Sequence, residues 1–388
     1  MGQGSLFSAL VSSQQYSVQL DHFSLNYYII SGEASGDLHA SNLIAALKAV
    51  DSNASFAGWG GDRMVAQGVP LLHHIRELSY MGFWEVATHL PAILKLLREA
   101  KRDVVARKPD LLILVDYPAF NLPVAKTAAA AGIPVCWYIS PQVWAWKANR
   151  VKKLRKRVDQ MLVILPFEPA FYEQRDFKVE YVGHPLLDAL PQNLESNRGK
   201  HIALLPGSRA QELKRMLPVM LKSAANFPDQ IFVVAGMSAQ PKELYAGVSQ
   251  VPNVRLVFDQ TTEVLGQAKA ALVTSGTATL ETALMRVPQV VCYRGNPLSF
   301  WLARRLVDVP FISLVNLIAG RELVPELIQQ ELNVQNLSVR LKGLLEEGPV
   351  RRDMLSGYAE LHEKLGGLGA SSRAAERIWQ RFRPAGYS

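Results

Sequence analysis

The sequence predicts an α/β protein of two doubly wound, Rossmann-like domains facing one another across a cleft, with a helical C-terminal tail. Three observations predict it. Short β-branched runs alternate with segments of helical spacing along most of the chain, the pattern of parallel sheets covered on both faces. The alternation comes in two series, separated by the polar, proline-bearing passage HPLLDALPQNLESNRGK (184–200). Finally, 388 residues with 49% hydrophobic and 20% charged content suit two folded domains, at roughly 100–200 residues each.

The first series offers strands at YYII (27–30), ASFAGW (54–59), LLILVD (111–116), PVCWYIS (134–140), QMLVIL (160–165) and VEYVG (179–183), with helical stretches such as 38–50 and 92–107 between them. The second offers HIALLPGS (201–208), QIFVVAG (230–236), VRLVF (254–258), AALVTSG (270–276) and PQVVCYRG (288–295). After about residue 322 the spacing reads as helix throughout, LVPELIQQEL included. An N-terminal domain is therefore expected at 27–190 and a second domain at 201–345. C-terminal helices are expected at 346–388, packing back on the first domain. Ligands of such folds bind at the carboxyl ends of the strands. Residues 1–26 hold no lysine or arginine and no continuous apolar centre. They do not read as a secretory signal and are expected to be a disordered extension. The uncharged run 127–146 contains Gly132, Pro134 and Pro141 and does not read as a membrane span.

Lys+Arg exceed Asp+Glu by 42 − 34 = 8, which favours anionic partners such as phosphorylated metabolites, an acidic membrane surface or nucleic acid. Cys136 and Cys292 both lie in apolar, strand-like runs. They read as buried reduced thiols in a reducing, cytoplasmic compartment.

Two turns in the second half suit phosphate. In LLPGSRAQELKRML (204–217), Gly207 permits a sharp approach, Ser208 can cap the following helix, and Arg209 supplies a fork of donors. In TSGTATLETALM (274–285), Ser275, Gly276 and Thr277 open a second helix, and Glu281 can accept from ribose hydroxyls or favour the helix dipole. The first-half loop SGEASGD (31–37), with Gly32, Glu33, Ser35, Gly36 and Asp37, has similar small residues but two carboxylates, which repel phosphate. Glu33 and Asp37 read either as partners of sugar hydroxyls or as braces of the loop. No D-x-D triplet and no His/Asp cluster is present, so no metal is expected to be needed. Arginine and two helix N-termini would neutralise a diphosphate. His73 and His74 are adjacent in a strand-like run and point to opposite faces, not to one metal.

Asp116 ends the apolar strand LLILVD, where α/β domains place active groups. It reads as a proton acceptor or as a turn-capping aspartate. MGFWEVATHLPAILKLLREAKR (81–102) puts Phe83, Val86, Ala87, Leu90, Leu94 and Leu97 on one face, widened by Trp84 and Ile93. It reads as a lipid-interface helix or as a core helix. RVKKLRKR (150–157) has six basic residues in eight and suits anionic headgroups or a solvated face. It lacks the aromatic interleaving of a nucleic-acid site, and no nucleic-acid partner is expected.

SGEASGD, SPQVWAWKANRVKK (140–153), LPFEPAFY (165–172), GHPLLD (183–188), LPGSR, SGTATLE and NLIAGRELVPEL (316–327) follow one another in an order that resembles the lipid-A-disaccharide synthase family. The resemblance covers residues 27 to about 330. It implies a GT-B glycosyltransferase fold and no cofactor. It also implies an inverting transfer of a 2,3-diacylglucosamine unit from a UDP-sugar donor onto 2,3-diacylglucosamine 1-phosphate, an acylated glucosamine phosphate acceptor. The product would be the β-1,6-linked disaccharide of lipid A biosynthesis in a Gram-negative bacterium. The resemblance places Gly207, Ser208, Arg209, Ser275, Gly276, Thr277, Glu281 and Asn316 on the donor side and SGEASGD on the acceptor side. Its base-like aspartate falls on Asp116. The family's Asp-x-Pro-Asp-Phe-Asn is here Asp116-Tyr117-Pro118-Ala119-Phe120-Asn121, so the second acid is Ala119 and only the first is retained. Acylated substrates imply a peripheral protein on the inner membrane surface, met by Phe83, Trp84, Leu90 and Leu94. A homodimer is compatible with the sequence. The alternatives are a nucleotide-sugar epimerase of the same fold and a non-catalytic binder of nucleotide sugars or anionic lipids.

Overall fold

A computed structural model of the chain describes residues 24–78, 85–146, 148–191, 199–296, 300 and 309–384, with backbone alone for Leu78, 85–90 and Trp146. The first half runs β1 (Asn26–Ser31), α1 (Ala34–Val50), β2 (Ser55–Gly60), α2 (Asp62–Ala66), β3 (Leu71–His74), α3 (Ile75–Leu78), α4 (Glu85–Arg107), β4 (Leu111–Val115), α5 (Pro118–Ala130) and β5 (Val135–Tyr138). It continues with α6 (Val143–Trp146), α7 (Val151–Arg155), β6 (Gln160–Val163), α8 (Glu168–Glu173), β7 (Glu180–Tyr181) and α9 (Leu186–Ala189). The second half runs β8 (His201–Leu205), α10 (Ala210–Ala224), β9 (Phe232–Gly236), β10 (Val254–Phe258), α11 (Thr261–Gln267), β11 (Ala268–Thr274), α12 (Thr277–Leu284) and β12 (Gln289–Tyr293). It ends with α13 (Leu314–Ala319), β13 (Glu326–Ile328), α14 (Val334–Leu345), α15 (Pro349–Lys364) and α16 (Ala370–Phe382).

The strands form two parallel sheets, ordered β3-β2-β1-β4-β5-β6-β7 and β10-β9-β8-β11-β12-β13. The central strands β4, β5 and β8 are buried along their whole length, because helices cover both faces of each sheet. In each sheet the order reverses between its first strand and the strand hydrogen-bonded beside it, β1 beside β4 and β8 beside β11. The chain therefore leaves neighbouring strands toward opposite faces, opening a crevice at their carboxyl ends. The four loops at these two crevices are SGEASGD and Asp116-Tyr117 in one domain, LPGSR and TSGTA in the other.

The structure corrects two readings of the sequence and turns the strand-like run at His73 and His74 into a further strand of the first sheet. The tail after 322 is not helical throughout. Glu326–Ile328 form β13, with Val291 opposite Glu326 and Tyr293 opposite Ile328. Pro325 breaks the apparent helix, and its carbonyl accepts from Val291. Leu71–His74 add a seventh strand at the edge of the first sheet. Leu25 and Asn26, expected in the extension, belong to the first domain. Leu25 is buried, with its amide on the Asp51 carboxylate, and β1 starts at Asn26. Residues 1–23 lie outside the described residues.

The C-terminal helices divide between the domains. α15 packs against α12, α13 and α14, whereas α16 returns to α1. Ala374, Ala375 and Ile378 of α16 are fully buried there with Leu43 and Leu47. Both thiols are free and buried, and burial pushes the Cys292 thiol up to about 12. No described helix is long and apolar enough to cross a membrane.

The return of α16 is fastened by a carboxylate from the passage between the domains. Asp188 accepts the amides of Gly369 at 2.6 Å and Ser371 at 2.9 Å, at the start of α16. It acts as a helix cap supplied from elsewhere in the chain. Asp188→Ala is expected to lower stability by about 0.5–2 kcal/mol, the cost of a lost cap, read as a lower midpoint in thermal or urea melts.

Candidate active site

The first crevice is built around two strained residues. Asp116 has φ 45° and Tyr117 φ 51°, so two successive non-glycine residues are left-handed. Each such residue costs on the order of 1–3 kcal/mol, and the arrangement persists only where neighbours impose it. Three groups do so. The Asp116 amide donates to Tyr138 of β5 at 3.1 Å. Pro118 and Phe120 start α5 directly behind the turn. Asn121, fully buried, donates its side-chain amide to the carbonyls of Asp116 at 2.8 Å and Val115 at 3.3 Å. Tyr117 also explains Gly32: a Cβ at Gly32 would overlap the Tyr117 ring.

Burial drives the Asp116 carboxyl up to about 7, and the nearby Glu33 carboxylate pushes it further the same way; a hydrogen bond from the Tyr117 amide opposes them. A carboxyl poised near neutrality suits a proton acceptor. Glu33 itself is exposed at the N-terminus of α1. Its carboxylate lies 3.9 Å from the Arg209 guanidinium of the second domain, so the two crevices face each other.

The SGEASGD residues separate by burial. Glu33 and Ser35 are exposed, whereas Gly32, Gly36 and Asp37 are buried. The Asp37 carboxylate accepts the amides of Gly61 at 2.7 Å, Arg63 at 3.0 Å and Met64 at 3.2 Å. Asp37 is thus a brace, and it holds the β2–α2 turn, not its own loop.

The second crevice departs from expectation in one respect. The amides of Ser208 and Arg209, expected to be open to an anion, donate to the Glu212 carboxylate at 3.1 and 3.3 Å. Glu212 lies one turn into α10 and forms a capping box with Arg209. Gly207 has φ 109°, and a Cβ there would overlap Glu212. The Arg209 side chain is 70% exposed, between Glu33 and Glu212, the latter at 3.7 Å. Among the described residues no carboxylate accepts from the amides that open α12. Gly276 and Thr277 are exposed, and a Cβ on Gly276 would meet nothing within 4 Å. Ser275 donates its hydroxyl to Ile312 at 3.0 Å, fixing the loop beneath. Glu281 is half-buried beside Thr262 at 3.5 Å, and burial raises its carboxyl above the usual range.

Asn316, expected on the donor side, is fully buried. Its amide donates to Val324 at 2.9 Å and Glu326 at 2.8 Å, and its carbonyl accepts Leu323 and Val324 amides. It therefore fastens the α13–β13 loop and has no bonding capacity turned to the crevice. Glu326 completes the network on Ile312 and Ser313.

Asn121, Glu212 and Glu326 were not singled out from the sequence. For Glu212 a signal existed, the capping spacing Arg209-x-x-Glu212. For Asn121 and Glu326 the partners are brought by folding. Of the lipid-contact residues, Phe83 and Trp84 lie outside the described residues, as does the Leu90 side chain. Leu94 is 46% exposed on α4, but Leu97, expected on the same face, packs against the first sheet. Along 150–157, Lys152, Lys153, Arg155 and Lys156 are exposed, while Val151 and Leu154 are buried. Among the described residues no three His, Cys, Asp or Glu side chains converge as metal ligands. His73 pairs with Glu77 and Glu99, and His74 with Asp62.

Residues 27–375 match the family model described as lipid-A-disaccharide synthetase. A lipid-A-disaccharide synthase of Myxococcus xanthus is 40% identical over 374 residues, 92% of this chain and 97% of that protein. Among solved structures, a calicheamicin glycosyltransferase aligns at TM-score 0.58 and 18% identity, over 93% of this chain and all of that one. A UDP-GlcNAc 2-epimerase from Neisseria meningitidis, bound to UDP-GlcNAc, aligns at TM-score 0.60 and 13% identity, over 92% of this chain and all of that one. These two structures share the two-domain GT-B fold.

The raised Asp116 carboxyl has a consequence for stability. An unfolded aspartate titrates near ~3.9, whereas the folded group titrates near about 7. Between those values the folded state holds a proton that the unfolded state lacks, so this group's contribution falls as pH rises and is most unfavourable above about 7. Asp116→Asn removes the penalty. The variant is expected to melt higher than the parent near about pH 8, with the gap closing near about pH 4.

Proposed function

The chain belongs to the lipid-A-disaccharide synthetase family, and from that premise we propose how its two crevices carry out a glycosyl transfer. The enzyme condenses UDP-2,3-diacylglucosamine with 2,3-diacylglucosamine 1-phosphate, giving the β-1,6-linked disaccharide phosphate and UDP. The observation that carries the assignment of roles is Asp116. It is a carboxyl poised near about 7 at the end of a buried strand, opposite an exposed arginine and an open helix N-terminus.

In this reading the acceptor sits at the first crevice with its primary hydroxyl against Asp116. That oxygen forms a bond to the anomeric carbon of the donor while the bond from that carbon to the diphosphate oxygen breaks. The electron pair leaves on UDP, and the hydroxyl proton passes to Asp116. Attack opposite the leaving group inverts the anomeric centre. The diphosphate lies over the first turn of α12, at Gly276 and Thr277, where amides and helix dipole favour negative charge. Arg209 turns from Glu33 and Glu212 to the diphosphate as charge builds there. Glu281 takes the ribose hydroxyls. Glu33 and Ser35 are the exposed residues of the acceptor loop and meet sugar hydroxyls. No metal enters this scheme, since arginine and α12 supply the positive field.

Diacylated substrates require access to a membrane surface. The chain is read as a cytoplasmic protein that lies peripherally on the inner membrane. Phe83, Trp84, Leu90 and Leu94 enter the headgroup boundary, and the exposed lysines and arginines of 150–157 meet anionic lipid. A homodimer is compatible with this arrangement.

The test is turnover of the UDP-sugar with and without the lipid acceptor. UDP release only when the acceptor is present fits the transferase; release without it removes this reading. Within that assay, Asp116→Asn is expected to lower kcat by ~10²–10⁴-fold with donor affinity nearly unchanged. Arg209→Ala is expected to lower turnover at least about tenfold, the loss of one charge-assisted contact, with the folded state intact. Serine at Phe83, Trp84, Leu90 and Leu94 together should weaken liposome flotation while the melt stays cooperative. A lost cooperative melt would mark those side chains as core, at ~2–5 kcal/mol each.

A further inference from the structure

Asn121 is buried, polar and only half satisfied. Its side-chain nitrogen donates to the carbonyls of Val115 and Asp116, and its side-chain oxygen finds no partner among the described residues. A buried acceptor without a partner is destabilising. An apolar side chain would avoid that cost but would leave the Val115 and Asp116 carbonyls without this donor. What the asparagine supplies is a pair of donors aimed backward from the first turn of α5 onto the last two carbonyls before Tyr117.

Those carbonyls belong to the strained stretch. Asp116 and Tyr117 are both left-handed, at φ 45° and 51°, and the ordinary alternative is to relax toward extended backbone. Relaxation would rotate the Asp116 carbonyl away from Asn121 and swing the Asp116 side chain off the end of β4. It would also move the Tyr117 ring, which lies against Gly32 of the acceptor loop. Through one amide group Asn121 thus fixes both the carboxyl and the wall beside it.

We propose that Asn121 is a positioning residue that acts through Asp116, holding the strained Asp116–Tyr117 turn in the conformation that aims the carboxyl at the acceptor hydroxyl. The proposal rests on the reading of Asp116 as the base, and the experiment keeps the two apart.

Asn121→Leu retains the branched shape and donates nothing. The expected result is a fall in kcat of about 10²-fold, the effect of misplacing a reacting group by about 1 Å. The donor KM should stay near that of the parent, and the melt should stay cooperative. The Asp116→Asn, Asn121→Leu double variant should be no slower than Asp116→Asn alone, because a residue acting only through Asp116 has nothing left to position. If Asn121→Leu does not fold, Asn121→Ala carries the same comparison. Near-parental kcat in the single variant overturns the proposal. So do losses that multiply in the double variant, or a joint fall of donor affinity and turnover, since both mark a general structural role. If Asp116→Asn alone keeps full turnover, the base assignment itself falls, and the proposal with it.

Discussion

The architecture depends on one constraint, the handedness of the connection between parallel strands. A strand, helix and parallel strand join almost always with a right-handed crossover. A sheet covered on both faces must therefore grow outward from its first strand in both directions. In this chain that happens twice, around β1 and β4 and around β8 and β11. Each reversal leaves a crevice where helices depart to opposite faces. The four loops with unusual chemistry all follow these four strands. Their proximity is a result of sheet order and does not depend on any interaction among the loops.

Within that frame, carboxylates do two different jobs. Asp37, Asp188, Glu212 and Glu326 each accept two or more backbone amides. Glu168 accepts Ile164 and Leu165 together with the Ser140 hydroxyl. Their amide contacts stabilise turns and helix starts, although at Glu168 burial still lifts the carboxyl to about 7. Asp116 has the Tyr117 amide set against burial and a neighbouring acid, and its carboxyl rises to about 7. Glu168 and Asp116 are raised alike and differ in what occupies their oxygens, two amides and a hydroxyl at Glu168 against the Tyr117 amide at Asp116.

The positive side of the cleft follows the same logic. Arg209 is largely exposed and its two carboxylate neighbours stand 3.7 and 3.9 Å away. Exposed pairs of this kind are worth little, ~0–1 kcal/mol, so a diphosphate can compete for the guanidinium. Before α10 the amides of Ser208 and Arg209 are taken by Glu212, and the Arg209 side chain is exposed. At α12 the reverse holds: the backbone is open and the side chains are small.

The sequence by itself determined the fold class, the two-domain plan and the family. Period-two and period-three-to-four patterning records which faces are buried, and the motifs are contiguous. It also marked Asp116, because an acid ending a buried apolar run is legible as text. It misassigned Leu323–Gln329, where a helix-like spacing of apolar residues met a proline and a vacant edge beside β12. It left Asp37 undecided and put Asn316 on the ligand side, because their partners are amides supplied by other segments. Only the tertiary structure decided that Asp37 braces a neighbouring turn and that Glu212 covers the amides of the LPGSR turn. It alone showed the left-handed turn at Asp116–Tyr117 and the asparagine that holds it. The physical reason is that hydrogen-bond satisfaction and backbone strain depend on what folding brings within 3 Å, whereas patterning depends only on neighbours along the chain.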